Sequence, residues 1–150
     1  MPRQGTAAAV WDSGAMAFEV SEQVQRRLAN DEVAWLTTVT PDGKPAPRPV
    51  WFLWDGESIV IYSMNGAARL RYIQRNPQVT VHFNASGGGD IVVISGRAQH
   101  LADAPPPSEF PGFLDKYAPV IEQMGQTPQW YDDTYGVALR VTPERSWGHP

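Results

Sequence analysis

Hydrophobic and polar positions along this chain change period several times, and each change marks an element. Between residues 18 and 30, Val20, Val24 and Leu28 recur four apart with Arg26 and Arg27 outside their row, the spacing that lays an apolar stripe along one face of a helix. Asn30-Asp31 breaks it. Residues 34–40 then alternate with a period of two, Trp35, Thr37 and Val39 on one face and Leu36 on the other, which predicts a strand. Pro41-Asp42-Gly43-Lys44 is the turn that follows. Residues 45–54 carry prolines at 45, 47 and 49. Proline donates no ladder hydrogen bond, so the first half of this stretch belongs at a sheet edge or facing a ligand. Asp55-Gly56 closes a hairpin into a strand over 58–63, with Ile59 and Ile61 opposite to Val60 and Tyr62.

Residues 66–76 return to a helical period. Leu70 and Ile73 face inward three apart, Arg69, Arg71 and Arg75 bring charge, and Asn76-Pro77 stops the helix, because the residue before a proline is pushed out of the α region. Strands over 79–83 and 91–100 flank the loop Asn84-Ala85-Ser86-Gly87-Gly88-Gly89-Asp90. A further helix begins near Ser108, its stripe running through Phe110, Phe113, Leu114, Tyr117, Ile121 and Met124, with a bend expected at Pro119. Thr127-Pro128 has the signature of a capped helix start leading through Trp130 and Tyr131 to Gly136. The final strand is expected over 137–142. About six strands joined mostly by tight turns, with three or four helices interposed, give a mainly β fold with α, an antiparallel barrel with short helices at its rim. Residues 1–17 show no sustained period and are expected to form a flexible arm before a single domain over 18–150.

Composition narrows the chemistry. At 150 residues the chain suits one domain with a real core. Its 16 acidic and 12 basic residues give a net charge of −4, which disfavours a general nucleic-acid surface, since that needs excess Lys and Arg to displace counterions. No stretch approaches the roughly 20 apolar residues of a membrane helix, and the start carries no signal-like apolar run; a cytoplasmic protein with no membrane partner is expected. The absence of cysteine removes disulfides, thiolate metal sites and thiol nucleophiles. Six tryptophans supply core and interface area, with one or two rings near a ligand. His82, His100 and His149 have no ligand spacing, so no metal is expected. The glycine loop has neither a dinucleotide nor a Walker register, and no nucleophile elbow accompanies Ser63 or Ser95.

Candidate binding chemistry lies between Arg48 and Arg69. Arg69 opens the short helix after Asn65-Gly66, where unpaired backbone N–H groups and a guanidinium converge on an anion, although a solvated arginine fits the pattern too. Ser63 ends a strand that leads into this loop, and its hydroxyl is a donor for a phosphate or a ring carbonyl. Arg48 precedes Pro49, Val50 and Trp51 on the proline-rich stretch, as an edge-surface cation or as part of the site. Trp130, Tyr131 and Tyr135 are either a lid over a planar ligand or an aromatic helix packed on the barrel.

The segments WLTTV, the Asp-Gly turn, PVWFLWDG, IYS, RNP and GGDIVV occur in this order between Trp35 and Val93. They resemble the split β-barrel flavin and deazaflavin oxidoreductases, the pyridoxamine 5'-phosphate oxidase-like or FMN-binding split-barrel group, and within it the actinobacterial reductases that use coenzyme F-420. The resemblance implies a homodimer with its cofactor cleft between the two chains and cofactor contacts at Arg48, Pro49, Val50, Trp51, Ser63, Ala68 and Arg69, with Arg71 nearby. The group's flavin oxidases carry a lysine where Arg69 stands, an arginine or serine-arginine where Ala67 and Ala68 stand, and a lysine at Leu53. The loss of those cations argues for F-420 over FMN, which is the alternative cofactor. The implied activity is hydride transfer from reduced F-420 to an electron-poor small organic substrate, with no catalytic side chain nominated; a non-catalytic flavin, deazaflavin or haem carrier is the alternative from another class.

Overall fold

The computed structural model describes residues 18–150; the expected arm, 1–17, lies outside them. The first helix, α1 (Glu22–Asn30), starts later than the apolar row suggests, because Ser21 caps it: its Oγ accepts a 3.2 Å hydrogen bond from the Val24 N–H. Val24 and Leu28 are buried, while Val20 lies outside the helix and is exposed. Seven antiparallel strands follow: β1 (Ala34–Val39), β2 (Pro45–Val50), β3 (Leu53–Trp54), β4 (Ile59–Ser63), β5 (Gln78–His82), β6 (Ile91–His100) and β7 (Val137–His149). Helix α2 (Ala68–Arg75) joins β4 to β5, and α3 (Phe113–Gln123) and α4 (Pro128–Thr134) lie between β6 and β7. The sheet order is β2-β1-β5-β6-β7-β4-β3.

The proline-rich strand is an edge, as expected. Its partners run from Pro45 opposite Val39 to Val50 opposite Ala34. Prolines at every second position put all three missing donors on one side of the strand. Ala46, Arg48 and Val50 serve the ladder to β1, and the open side cannot recruit another strand.

The other edge, β3, follows after only two residues, Trp51 and Phe52, so the sheet curls until its two edges nearly meet. Side chains of α3 satisfy the backbone where the ladder is interrupted. The Phe52 N–H donates to Tyr117 Oη at 2.9 Å, and Lys116 Nζ donates to the Phe52 carbonyl at 2.9 Å. The Tyr117 hydroxyl also reaches the Glu32 carbonyl at 2.6 Å. A split barrel results, with its seam sealed by one helix.

Two apolar clusters show what each helix does. Val24 and Leu28 of α1 and Ile73 of α2 join Leu36, Ile59, Ile61, Val81, Ile94 and Leu139 inside the barrel. On the opposite face of β4, Val60 and Tyr62 pack with Phe113, Tyr117 and Ile121 of α3 and Tyr131 of α4. The alternation read along 58–63 is therefore real, but both faces are covered. Helices α1 and α2 close the barrel, whereas α3 and α4 pack against the outer face of β4.

Strand β7 runs seven residues beyond its expected end at Thr142. Pro143 and the charged pair Glu144-Arg145 hide the continuation. The ladder accommodates the proline at a bulge, where Ser95 pairs with Arg145 and the next residue, Gly96, pairs with Pro143. A Cβ at Gly96 would collide with the Thr142 carbonyl, so glycine is required there.

Arg27 departs most from the helical-wheel expectation. It is 5% exposed, bonded to Asp31 through Nε at 3.0 Å and through its terminal nitrogen at 2.7 Å, and it donates to the Asn84 carbonyl at 2.6 Å and to the Asp90 carbonyl. Its guanidinium lies 5.3 Å from the Phe83 ring centre. Asp90, which adopts a left-handed φ of 55°, also receives two hydrogen bonds from Arg26. The glycine loop is thus fastened to α1. Among the described residues no helix is long and apolar enough to cross a membrane.

Candidate functional site

A cleft of about 400 Å3 opens where the β2–β3 seam, the end of β4, the start of α2 and the end of α4 meet. The chain builds it from backbone breaks. Gly66, at a φ of +77°, turns the chain after β4, and the Ala67 N–H closes the turn onto the Met64 carbonyl at 3.2 Å. Ala67 then sits at the cap position of α2 with no side chain to accept from the first amides of the helix. The Leu70 N–H bonds the Ala67 carbonyl at 3.1 Å, and no side-chain cap serves the Ala68 and Arg69 amides beside the cleft that Ala67 lines.

Arg69 projects from this first turn into the cleft. A cation here opposes the helix dipole, and it forms no ion pair among the described residues. Its pKa is lowered, first by burial and then by the like charge of Arg48, while Tyr131 and Tyr135 pull weakly the other way. It remains charged throughout the physiological range. Ser63, 1% exposed at the end of β4, lines the same cleft, and its hydroxyl has no hydrogen-bond partner among the described residues. A buried hydroxyl left unpaired costs about 1–3 kcal/mol, which a ligand oxygen would relieve.

The wall is a column of four stacked rings: Trp51 lies 4.4 Å from Tyr117 and 5.0 Å from Tyr131, nearly parallel to both, and Tyr131 lies 4.3 Å from Tyr135. Both faces of the Trp51 indole are covered, so this residue meets the cleft with its edge. Burial pushes the Tyr131 phenol well above its ordinary pKa, keeping it neutral beside the Arg69 guanidinium. Tyr62 is pushed up to about 12 by burial, with Asp132 adding to the shift, and its hydroxyl donates to the Pro105 carbonyl.

Five of the seven residues expected at the site line this cleft: Pro49, Val50, Trp51, Ser63 and Arg69. Arg48 is an exposed neighbour, its Nη1 donating to the Pro47 carbonyl at 2.7 Å, near enough to repel Arg69. Ala67 takes the lining place expected of Ala68. Arg71 belongs to the opposite side of α2, facing a different cavity. The glycine loop is absent from the lining, consistent with its attachment to α1. Sequence reasoning left Tyr131 and Tyr135 between two roles, and they fill both, packing on the barrel and walling the cleft. Met64 and Met124, each 50% exposed at the cleft, carried no sequence signal beyond hydrophobicity. Among the described residues no cluster of His, Asp or Glu could hold a metal.

Seven antiparallel strands in this order, curled with a sealed seam, define a split barrel. Residues 20–149 match the family described as pyridoxamine 5'-phosphate oxidase, and the chain belongs to that family. Among solved structures it resembles an F420 reductase at 22% identity, covering 81% of this chain and 94% of that one with a TM-score of 0.59. A putative pyridoxamine 5'-phosphate oxidase from Listeria innocua shares 22% identity over 85% of this chain and 96% of its own, TM-score 0.60. HutZ, the haem-storage protein of Vibrio cholerae, shares 14% identity over 88% and 96%, also with a TM-score of 0.60. At these identities the likeness is one of fold. No curated protein sequence matches the chain.

Proposed function

We propose that this protein is an oxidoreductase that binds reduced coenzyme F-420 in the α2 cleft and promotes hydride transfer to an electron-poor small organic substrate. The observation that carries the reading is the pairing of an Arg69 guanidinium that has no carboxylate partner with the unpaired, buried Ser63 hydroxyl. Both suit a phosphate or acidic ligand, so the residues present fit such a cofactor. Arg69, backed by Arg48 and the first amides of α2, would hold the phosphate and acidic tail, and Ser63 would donate to a ligand oxygen. Trp51 and Tyr131 keep water from one side of the cleft. The hydride chemistry is what the deazaflavin supplies when bound.

F-420 is favoured over FMN because the cleft carries one inserted cation. Ala67 and Ala68 bring no charge to the helix start, and Leu53, where the flavin oxidases have a lysine, is buried under α3. A single fork suits a phosphodiester better than a phosphate dianion. Parallel calorimetric titrations with F-420 and FMN test this. Tighter F-420 binding is expected; sub-micromolar FMN binding with no response to F-420 would reverse the order.

A homodimer belongs to the same reading. Pro49, Trp35, His82, Val93 and Trp147 stand side by side across five strands. Four of them are half-buried and Pro49, which lines the cleft, is exposed, so the row supports a second copy docking beside the site. Sedimentation at micromolar concentration should give twice the chain mass, and a monomer there would argue against it.

A further inference from the structure

Helix α2 separates two cavities. Its Arg69 side faces the cleft, while Leu70, Arg71, Ile73 and Gln74 face a second cavity of about 450 Å3 against Ala98, Gln99 and His100 of β6 and Val137 and Leu139 of β7. The two share no lining residue. This one is the unfilled end of the barrel. Ile73, Ala98 and Leu139 belong to the interior cluster, with Leu70 packed against it, but α2 offers only those two apolar side chains and Ala98 is small. The opposite situation holds under α1, where Val24 and Leu28 fill the barrel and Arg27 fastens the helix down.

The polar groups of the cavity are of one kind. Arg71 is its sole residue of fixed charge, pairs with no carboxylate among the described residues, and stands with Gln74, Gln99 and His100; no Asp or Glu lines the space. An apolar floor rimmed by one fixed cation and hydrogen-bonding groups, with no carboxylate, complements a molecule with an apolar body and a single negative head. The volume lies within the roughly 300–1,000 Å3 typical of small-molecule sites.

We propose that the cavity between α2 and β6–β7 is a second binding site, distinct from the cofactor cleft, for a monoanionic amphiphile such as a medium-chain carboxylate, with its chain on Leu70, Ile73, Ala98 and Leu139 and its head on Arg71. The proposal is independent of which cofactor the cleft takes.

The probes are decanoate, decan-1-ol and decyltrimethylammonium, titrated by calorimetry into the full chain and into three variants. Decanoate should bind one per chain, at least about tenfold tighter than the alcohol, the scale of one charge-assisted hydrogen bond. Arg71→Glu should erase that preference and favour the cationic probe. Gln74→Trp, at an exposed helix position on the rim, should weaken all three by obstruction. Arg69→Ala should leave decanoate binding unchanged. Absence of saturable decanoate binding, or binding indifferent to Arg71→Glu and Gln74→Trp, would overturn the proposal. So would loss of binding with Arg69→Ala, which would move the amphiphile to the cofactor cleft. Binding that disappears as protein concentration rises would overturn it in favour of a second copy of the chain as occupant. Circular dichroism of each variant establishes that it is folded.

Discussion

Arg27 and Arg69 are both withdrawn from water, and they are withdrawn into opposite company. Arg27 is buried between Asp31, Asp90 and two backbone carbonyls, and its pKa is raised, the hydrogen bonds it donates to Asp31 outweighing desolvation. Arg69 has another arginine and two tyrosines for neighbours, and its pKa is lowered by burial and by Arg48. A protein gains nothing in stability from the second arrangement, because the charge is desolvated without repayment. That asymmetry separates a cation paired within the fold from one without a carboxylate among the described residues, which the proposed function assigns to an anionic ligand.

The comparison predicts two different kinds of damage. Arg27→Ala removes the buried tie between α1 and the 84–90 loop and strands the Asp31 carboxylate and two backbone carbonyls, while Asp90 keeps Arg26, so it should lower unfolding free energy by about 3 kcal/mol, the scale of breaking a buried pair. Urea denaturation measures this, and the folded fraction should bind cofactor with unchanged affinity. A variant of normal stability and poor affinity would mean the roles are assigned the wrong way round.

Arg69→Ala should do the converse, weakening cofactor binding by roughly 1.5–3 kcal/mol, the range for hydrogen bonds to charged groups. Stability of the cofactor-free protein should be unchanged or slightly higher, since a desolvated charge and an unfavourable helix-dipole contact both go. Unaltered affinity with a lower melting temperature would show Arg69 to be structural, and the clamp would then be sought at Arg48.

This division was only partly legible in the sequence. The periods gave six strands and three of the α-helices, the cap at Thr127-Pro128 gave the fourth, and the stretch 45–54, expected as one strand, is two, β2 and β3, broken at Trp51 and Phe52; three alternate prolines marked β2 as an edge because a missing donor is a local property. Arg69 and Ser63 could be nominated from their place after a strand and before a helix. Arg27 could not, because its partners Asn84 and Asp90 arrive from some 60 residues away, and a helical wheel sees only the apolar row. The column through Tyr117, Trp51, Tyr131 and Tyr135 was hidden for the same reason, being assembled from three separate segments. The end of β7 was missed because a proline and two charges normally stop a strand, and only the bulge opposite Gly96 explains why they do not.

Ser63 sharpens the contrast at smaller cost. Its buried hydroxyl has no partner, so Ser63→Ala should raise the stability of the cofactor-free protein by about 1 kcal/mol while weakening cofactor binding by a similar amount. Opposite signs in one substitution are characteristic of a polar group kept for a ligand. Chemical denaturation and titration on the same preparation measure both, and a loss of stability would mean that the hydroxyl serves the fold.

Lys116 stands between the two arginines. It has no carboxylate in contact among the described residues, its Nζ donates to the neutral Phe52 carbonyl and lies 3.7 Å from the Phe52 ring centre, and burial lowers its pKa to about 8 against the pull of Asp31 and Glu32. Below pH 8 the folded and unfolded chains both carry the proton. Between about pH 8 and the ordinary lysine value of about 10.4, the folded protein has lost a proton that the unfolded chain keeps, so unfolding takes one up and stability rises with pH. The gain should be under about 1 kcal/mol, because the group is only partly buried and solvent screens it. Beyond about pH 10 the buried tyrosines reverse the trend, since the unfolded chain releases their protons first. Denaturation followed from about pH 8 to about pH 10 in the wild type and in Lys116→Met should therefore show a rising difference that the methionine abolishes. A flat profile in both would mean that Lys116 reaches water freely, and that the seam between β2 and β3 is held by Tyr117 alone.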